Sequence, residues 1–226
     1  MPIGIIANCS AVFLGGLSGC LCGKFLSEEI QKNLTIMMGF CAIAIGINSI
    51  IKTAHMAPVV IAVLLGMFLG GILKLEKNIT NLFAKILHKL PAREEFSMEN
   101  YITCVVLFCA SGFGIYGVMM IGINGDNSIL LSKTVLDFFT AMIFAITLKL
   151  SISIIAFPML AIQLALLLLS RFIAPVATGH IFQNFIACGG ILTMAAGLRV
   201  SGIKSVPIAN LVPALVLVIP LSYFLS

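Results

Sequence analysis

Charge is scarce in this sequence. Only 9% of its 226 residues are Asp, Glu, Lys or Arg, against roughly a quarter in an ordinary soluble domain. That shortage excludes a water-soluble enzyme and a nucleic-acid binder. Disorder is excluded by the opposite excess: 61% of the residues are hydrophobic and mean hydropathy is +1.19, more apolar surface than a disordered chain carries. Catalytic signatures are missing as well. There is no H-E-x-x-H, no G-x-S-x-G and no P-loop, and Ser111-Gly112 lacks the preceding glycine of a rhomboid-type serine motif. His55, His88 and His180 all lie near the ends of apolar runs, where none is placed to serve as an intramembrane base. The chain therefore reads as a non-enzyme that needs no cofactor. Cys9, Cys20, Cys22, Cys41, Cys104, Cys109 and Cys188 sit inside apolar runs with no C-x-x-C spacing. They read as small packing residues, not as a disulfide framework or a zinc site.

Apolar length is what the chain has. Eight segments, at residues 3–23, 34–51, 58–73, 101–123, 128–148, 150–170, 185–203 and 206–225, approach the ~20 residues a helix needs to cross the hydrocarbon. No basic residue precedes the first, and it is long enough to span, so it is not a cleavable signal. The fifth and sixth are separated only around Lys149, which makes them a tight hairpin or one long broken helix. The expected fold is an all-α integral membrane protein, one transmembrane domain over residues 1–226, with the lipid bilayer as its first partner.

The one long hydrophilic stretch is 74–100. Within it Ile79, Leu82, Phe83, Ile86, Leu87 and Leu90 recur at the spacing of a single helix face, with Lys77, Asn81, Lys85 and Lys89 on the others. Such a helix lies along the membrane surface or packs on the protein's own spans. Pro91 is expected to end it and Ser97 to cap the next span. If this linker is cytoplasmic, alternation also places Lys24, Lys32, Lys149, Arg199 and Lys204 inside. Only Lys52, Lys133 and Arg171 of the 13 basic residues are then left outside. The positive-inside bias selects that orientation, with both termini outside. The sequons at Asn33 and Asn78 then fall on the inside, where they carry no meaning.

Residues 30–48 align with 181–199 without gaps. Ile30, Asn33, Gly39, Ala44 and Gly46 match Ile181, Asn184, Gly190, Ala195 and Gly197. The flanks agree: Ile5-Ile6-Ala7 echoes Ile154-Ile155-Ala156, Lys24-Phe25 echoes Arg171-Phe172, and Pro58 and Pro207 open the following spans. Spans one to three (3–73) are thus repeated as spans six to eight (150–225), with 101–148 between. A shift of five spans makes the copies inverted, an arrangement that puts binding sites near the midplane where the copies meet.

Asp137 is the one acidic residue well inside an apolar span. Lys133, four residues earlier, shares its helix face. An ionisable residue in the membrane marks a functional path unless it only locks helices together. Asn8, Asn48, Gln163 and Asn210 add amides that lipid cannot satisfy, and Arg199 stands at the repeat position of Asn48. Asp126, in Gly125-Asp126-Asn127, reads as a turn residue or helix cap. Gly15, Gly16, Gly19 and Gly23, and likewise Gly66 and Gly70, have the spacing of close helix packing. Gly112, Gly114 and Gly117 in span four, with Pro158, Pro213 and Pro220 elsewhere, are candidate kinks or breaks.

These residues carry a resemblance. Gly4-Ile5-Ile6-Ala7-Asn8 with the glycines through Gly23, Met38-Gly39 to Asn48, Leu107-Phe108-Cys109, Gly125-Asp126, Lys133-Thr134-Val135-Leu136-Asp137, Gly202-Ile203-Lys204 and Ala209-Asn210-Leu211-Val212-Pro213-Ala214 together resemble the YqgA/YdfK-type family of bacterial multi-spanning membrane proteins, a domain of unknown function. The likeness covers essentially the whole chain. It implies a bacterial cytoplasmic-membrane location and assigns no catalytic residue. Arg199, where an asparagine like Asn48 is expected, departs from a strictly symmetric site.

Two functional readings follow. One is a small secondary transporter or channel-like carrier for an ion or small polar solute, using Asp137, Lys133, Asn48, Arg199, Asn8, Gln163 and Asn210. The other is a non-transporting assembly or sensor subunit in which those groups are structural. A homo-oligomer fits either, and no nucleic-acid partner is expected.

Overall fold

The computed structural model describes residues 2–87, 98–173 and 179–225. Among them every regular element is helical: α1 (Ile3–Cys22), α2 (Glu28–Ile50), α3 (Met56–Ile72), α4 (Leu75–Leu87), α5 (Met98–Cys109), α6 (Gly112–Asn124), α7 (Ser128–Leu148), α8 (Ser151–Ile154), α9 (Ala156–Ile173), α10 (Gly179–Val200) and α11 (Val212–Leu225). The expected helix stop at Pro91 and cap at Ser97 fall outside the described residues.

Among the described residues, seven helices or continuous helix pairs are long and apolar enough to cross a membrane. The candidate for an eighth crossing is α3 with the start of α4; the 17 residues of α3 reach about 25 Å at 1.5 Å per residue. α3 bends by 55° into α4, with Lys74 at φ 50° in the elbow. The amphipathic stretch is thus a helix turned away from the span before it, and its first turns dock on the protein's own spans.

Helix directions follow from what each packs against. α1 runs parallel to α7, with Gly4 beside Leu130, Gly15 beside Ala141 and Gly23 beside Ile146. It runs antiparallel to α9, where Asn8 meets Gln163 and Phe13 meets Phe157. α2 is antiparallel to α10, and α3 to α11, the latter through Gly66 against Ala214 and Gly70 against Asn210 in the turn just before α11. These directions are the ones eight alternating crossings produce. Lipid gives helices no hydrophobic reason to associate, so close backbone approach at glycine carries much of the packing. A Cβ on Gly197 would come within 2.5 Å of the Gly39 carbonyl oxygen.

Local chemistry sets the boundaries. α2 begins six residues before the apolar run because Ser27 caps it, its Oγ accepting from the Ile30 amide at 3.4 Å, with Glu28 and Glu29 in the positive first turn. α7 coincides with its expected span. Past its end, Lys149 at φ 54° turns the chain into α8 and α9, so the two spans are separate helices, with α1 packed against both. Span four is interrupted at mid-membrane: α5 stops at Cys109, and α6 restarts at Gly112 under a Ser111 cap, whose Oγ accepts from the Gly114 amide at 3.5 Å.

Two apolar cores result. One joins α1, α5, α7, α8 and α9 through Ile5, Val12, Phe108, Leu130, Phe144 and Met159. The other joins α3, α10 and α11 through Val59, Phe185, Leu192, Leu215 and Val218. α2 buries only Gly39, Ala42, Gly46 and Ser49.

Candidate functional site

Asp137 is in the tenth position of the 21-residue α7, near mid-membrane. Its Oδ2 accepts from Lys133 Nζ one turn earlier in the same helix and from Asn8 Nδ2 of α1 at 2.8 Å. Asn8 Oδ1 in turn accepts from Gln163 Nε2 of α9 at 2.9 Å, and the Cys9 thiol donates to Gln163 Oε1 at 3.7 Å. All four principal side chains are buried, between 0% and 7% exposed. A buried ion pair persists only when its remaining hydrogen bonds are met. Asn8 supplies one of them to Oδ2 from α1 and is itself held by Gln163 from α9.

On its other side the pair lines a cavity of about 60 Å³ between α2, α7, α10 and the α5–α6 break. At roughly 10–15 Å³ per water centre that admits about four or five non-hydrogen atoms. Its polar lining is Ser111, Lys133, Asp137, Thr140 and Thr193. Lys133, Asp137 and Thr140 follow one another at the i, i+4, i+7 spacing of one helix face, a signal in the sequence that also points to Thr140. Thr193 carried no such signal, because its role depends on where α10 crosses α2.

The seven polar residues singled out in the sequence do not form one path. Asp137, Lys133, Asn8 and Gln163 come together. Asn48 is exposed on α2, two positions past Gly46 and so turned well away from the face that meets α10. Arg199 is six residues, about 9 Å of helix, beyond Thr193, at the far end of α10. There Nη1 donates to Glu76 Oε1 at 2.6 Å and to the Val206 carbonyl at 3.2 Å. Glu76 Oε2 accepts from the Ala209 amide at 2.8 Å, and Asn210 Oδ1 accepts from the Glu76 amide at 2.9 Å. Arg199 and Asn210 therefore belong to a latch holding the α3–α4 elbow against the α10–α11 turn. Hydropathy hid Glu76 by assigning it to the linker.

The opposite end has its own knot. Asn184 Oδ1 accepts from Thr53 Oγ1 at 3.1 Å, the Ala54 amide at 3.1 Å and the His55 amide at 2.9 Å. Its Nδ2 donates to Ser222 Oγ at 3.0 Å. One fully buried amide thus ties the α2–α3 turn to α10 and α11. No group of three or more His, Cys, Asp or Glu side chains able to hold a metal occurs among the described residues.

A charged pair and two amides buried at mid-depth, beside a cavity and a broken helix, define a multi-pass helical membrane protein with a polar centre inside its bundle. The chain belongs to the family described as "Protein of unknown function (DUF554)", whose model matches residues 3–223. It is 45% identical over 228 aligned residues to "Uncharacterized protein YqgA" of Escherichia coli (strain K12), covering 98% of this chain and 97% of the relative. It is 28% identical over 214 residues to "Uncharacterized membrane protein YdfK" of Bacillus subtilis (strain 168), covering 95% and 93%. No solved structure matches it.

Proposed function

We propose that the protein is a small secondary carrier of the bacterial cytoplasmic membrane that binds an ion or small polar solute at the Lys133–Asp137 cavity. The observation that carries this is the buried ion pair lining a cavity beside the break in span four. Irregular backbone and charge at membrane depth are costly, and they are kept where a substrate path runs.

We also infer that the halves form an inverted repeat, a reading with which the contacts at one helix crossing are compatible. At the α2–α10 crossing each glycine neighbour has its mate 151 residues away. Gly39 meets Ser201 as Gly190 meets Ile50, and Gly46 meets Met194 as Gly197 meets Ile43. On the inverted-repeat reading, a half-turn in the membrane plane exchanges these pairs. It also exchanges Ala42 with Thr193, both of which line the cavity. The Glu76–Arg199 latch then closes one end of the path and the Asn184 knot the other, with the latch on the cytoplasmic side by the positive-inside bias. Relative rocking of the two halves about such an axis gives alternating access.

The competing reading is structural, and the complete satisfaction of Asp137 Oδ2 favours it. Solute uptake into proteoliposomes by Asp137→Asn and by the Lys133→Met, Asp137→Leu double variant separates the two. A carrier loses uptake in both variants while remaining folded. Normal uptake in the double variant would mean that the pair only locks helices.

A further inference from the structure

The hydrogen-bonding capacity left over in the cavity names a ligand class, on the reading that this cavity is the binding site. Thr140 spends its hydroxyl hydrogen on the Leu136 carbonyl at 2.7 Å, and Thr193 spends its own on the Gly189 carbonyl at 2.9 Å. Each therefore offers the cavity lone pairs only. Both protein hydrogen bonds to Asp137 go to Oδ2, which leaves Oδ1 as an acceptor on a residue that lines the cavity. Three acceptors, one of them charged, face a lining that also includes Ser111 and Lys133, whose ammonium is taken up on Oδ2, and is otherwise apolar, with Met38, Ile45, Leu107 and Phe144 among others.

A hard divalent cation is poorly served here, because Mg²⁺ and Ca²⁺ take six or more oxygens. An ammonium group carries three N–H donors, one for each acceptor. The mouth of the cavity supports an apolar body behind that head. Cys41 and Ile45 of α2 and Leu136 of α7 are exposed and line the cavity, and all three lie well inside their helices. The opening between α2 and α7 is therefore at hydrocarbon depth.

We propose that the cavity binds a small primary alkylammonium ion, its head on Asp137 Oδ1, Thr140 and Thr193 and its alkyl chain between α2 and α7. Lys133 stays on Oδ2, so no proton needs to move.

The test is calorimetric titration of the full-length protein with n-butylammonium chloride. It is done in nanodiscs of phosphatidylcholine and phosphatidylglycerol, whose headgroups carry no primary ammonium. Saturable binding is expected, weakened about tenfold or more in Thr140→Val and in Thr193→Val. These variants keep the charged pair and so avoid the folding risk of changing Asp137. In a variant retaining Cys41 as its one cysteine, butylammonium should slow alkylation of that thiol by a lipophilic maleimide. Absence of binding overturns the proposal. So does equal binding of butyrate or β-alanine, or an affinity untouched by both threonine changes. Binding without uptake overturns only the carrier reading, whereas uptake of another solute without amine binding overturns only the ligand class.

Discussion

Glu76→Gln isolates the latch. The substitution keeps the side chain's shape, removes its charge, and can leave an NH₂ facing the Ala209 amide in place of an acceptor. Arg199 then stays in a site where its side chain is 6% exposed, with the Val206 carbonyl as a neutral partner. Stripping one member from a buried pair costs about 3–5 kcal/mol. Glu76 is 20% exposed, so water screens part of the interaction, and about 2–3 kcal/mol is the better expectation. Unfolding free energy from SDS titration in mixed micelles measures it. A Glu76→Leu, Arg199→Met double variant should recover most of the loss, because no charge is then stranded. A cysteine placed at Lys77 should label faster in Glu76→Gln than in the parent, since the elbow loses two of its anchors. A loss below about 0.5 kcal/mol with unchanged labelling would refute the latch.

Other outcomes can be checked independently. Gly197→Leu should destabilise by at least the roughly 1–3 kcal/mol of an overpacked core, and Gly71→Leu should not, since a Cβ there meets nothing within 4 Å; thermal unfolding of the two variants decides this. Asn184→Ala removes the acceptor of two backbone amides and should cost about 1–3 kcal/mol, with faster proteolysis at 53–55 in limited digests. Cysteines introduced at Lys77 and at Asn124 should label from opposite faces of right-side-out vesicles, Lys77 from the inside, and labelling from one face would overturn the topology. Asp126 is held below the ordinary carboxylate range by hydrogen bonds from the Ser128 side chain and amide. Its stabilising effect on the start of α7 is present above the unfolded value of about 3.9 and is lost as pH falls through the depressed one. Unfolding followed between pH 5 and 2 should show this loss in the parent and not in Asp126→Ala.

How far the sequence could be read depended on whether a residue's role is local. The extent of α7 and the Lys133–Asp137 pairing are matters of one helix, and both were legible. Asn8 and Gln163 were legible as amides in apolar runs, though not as partners, since α1 and α9 are far apart in sequence. The start of α2 was missed because Ser27, Glu28 and Glu29 begin the helix by capping and charge, which hydropathy does not register. Arg199 was grouped with the binding-path candidates by its repeat position opposite Asn48, although alternation already placed it on the inside. Its actual partner, Glu76, lay in a stretch too polar to count as a span. Thr140 was legible only through its i, i+7 spacing from Lys133, and Thr193 not at all, because its place at the cavity depends on where α10 crosses α2.

The position of Lys133 relative to Asp137 also bears on how the protein reaches the membrane. α7 is made after α1 and before α9, so the network around the carboxylate cannot be complete when that helix enters the bilayer. An Asp or a Lys alone at the centre of an inserting helix costs about 3 kcal/mol. Because each charge meets its opposite one turn away on the same helix, α7 can partition as a neutral segment before any neighbour has docked. Moving the lysine to another span would preserve the final contact and remove that protection. The i, i+4 arrangement is thus a property of biogenesis as much as of the finished bundle.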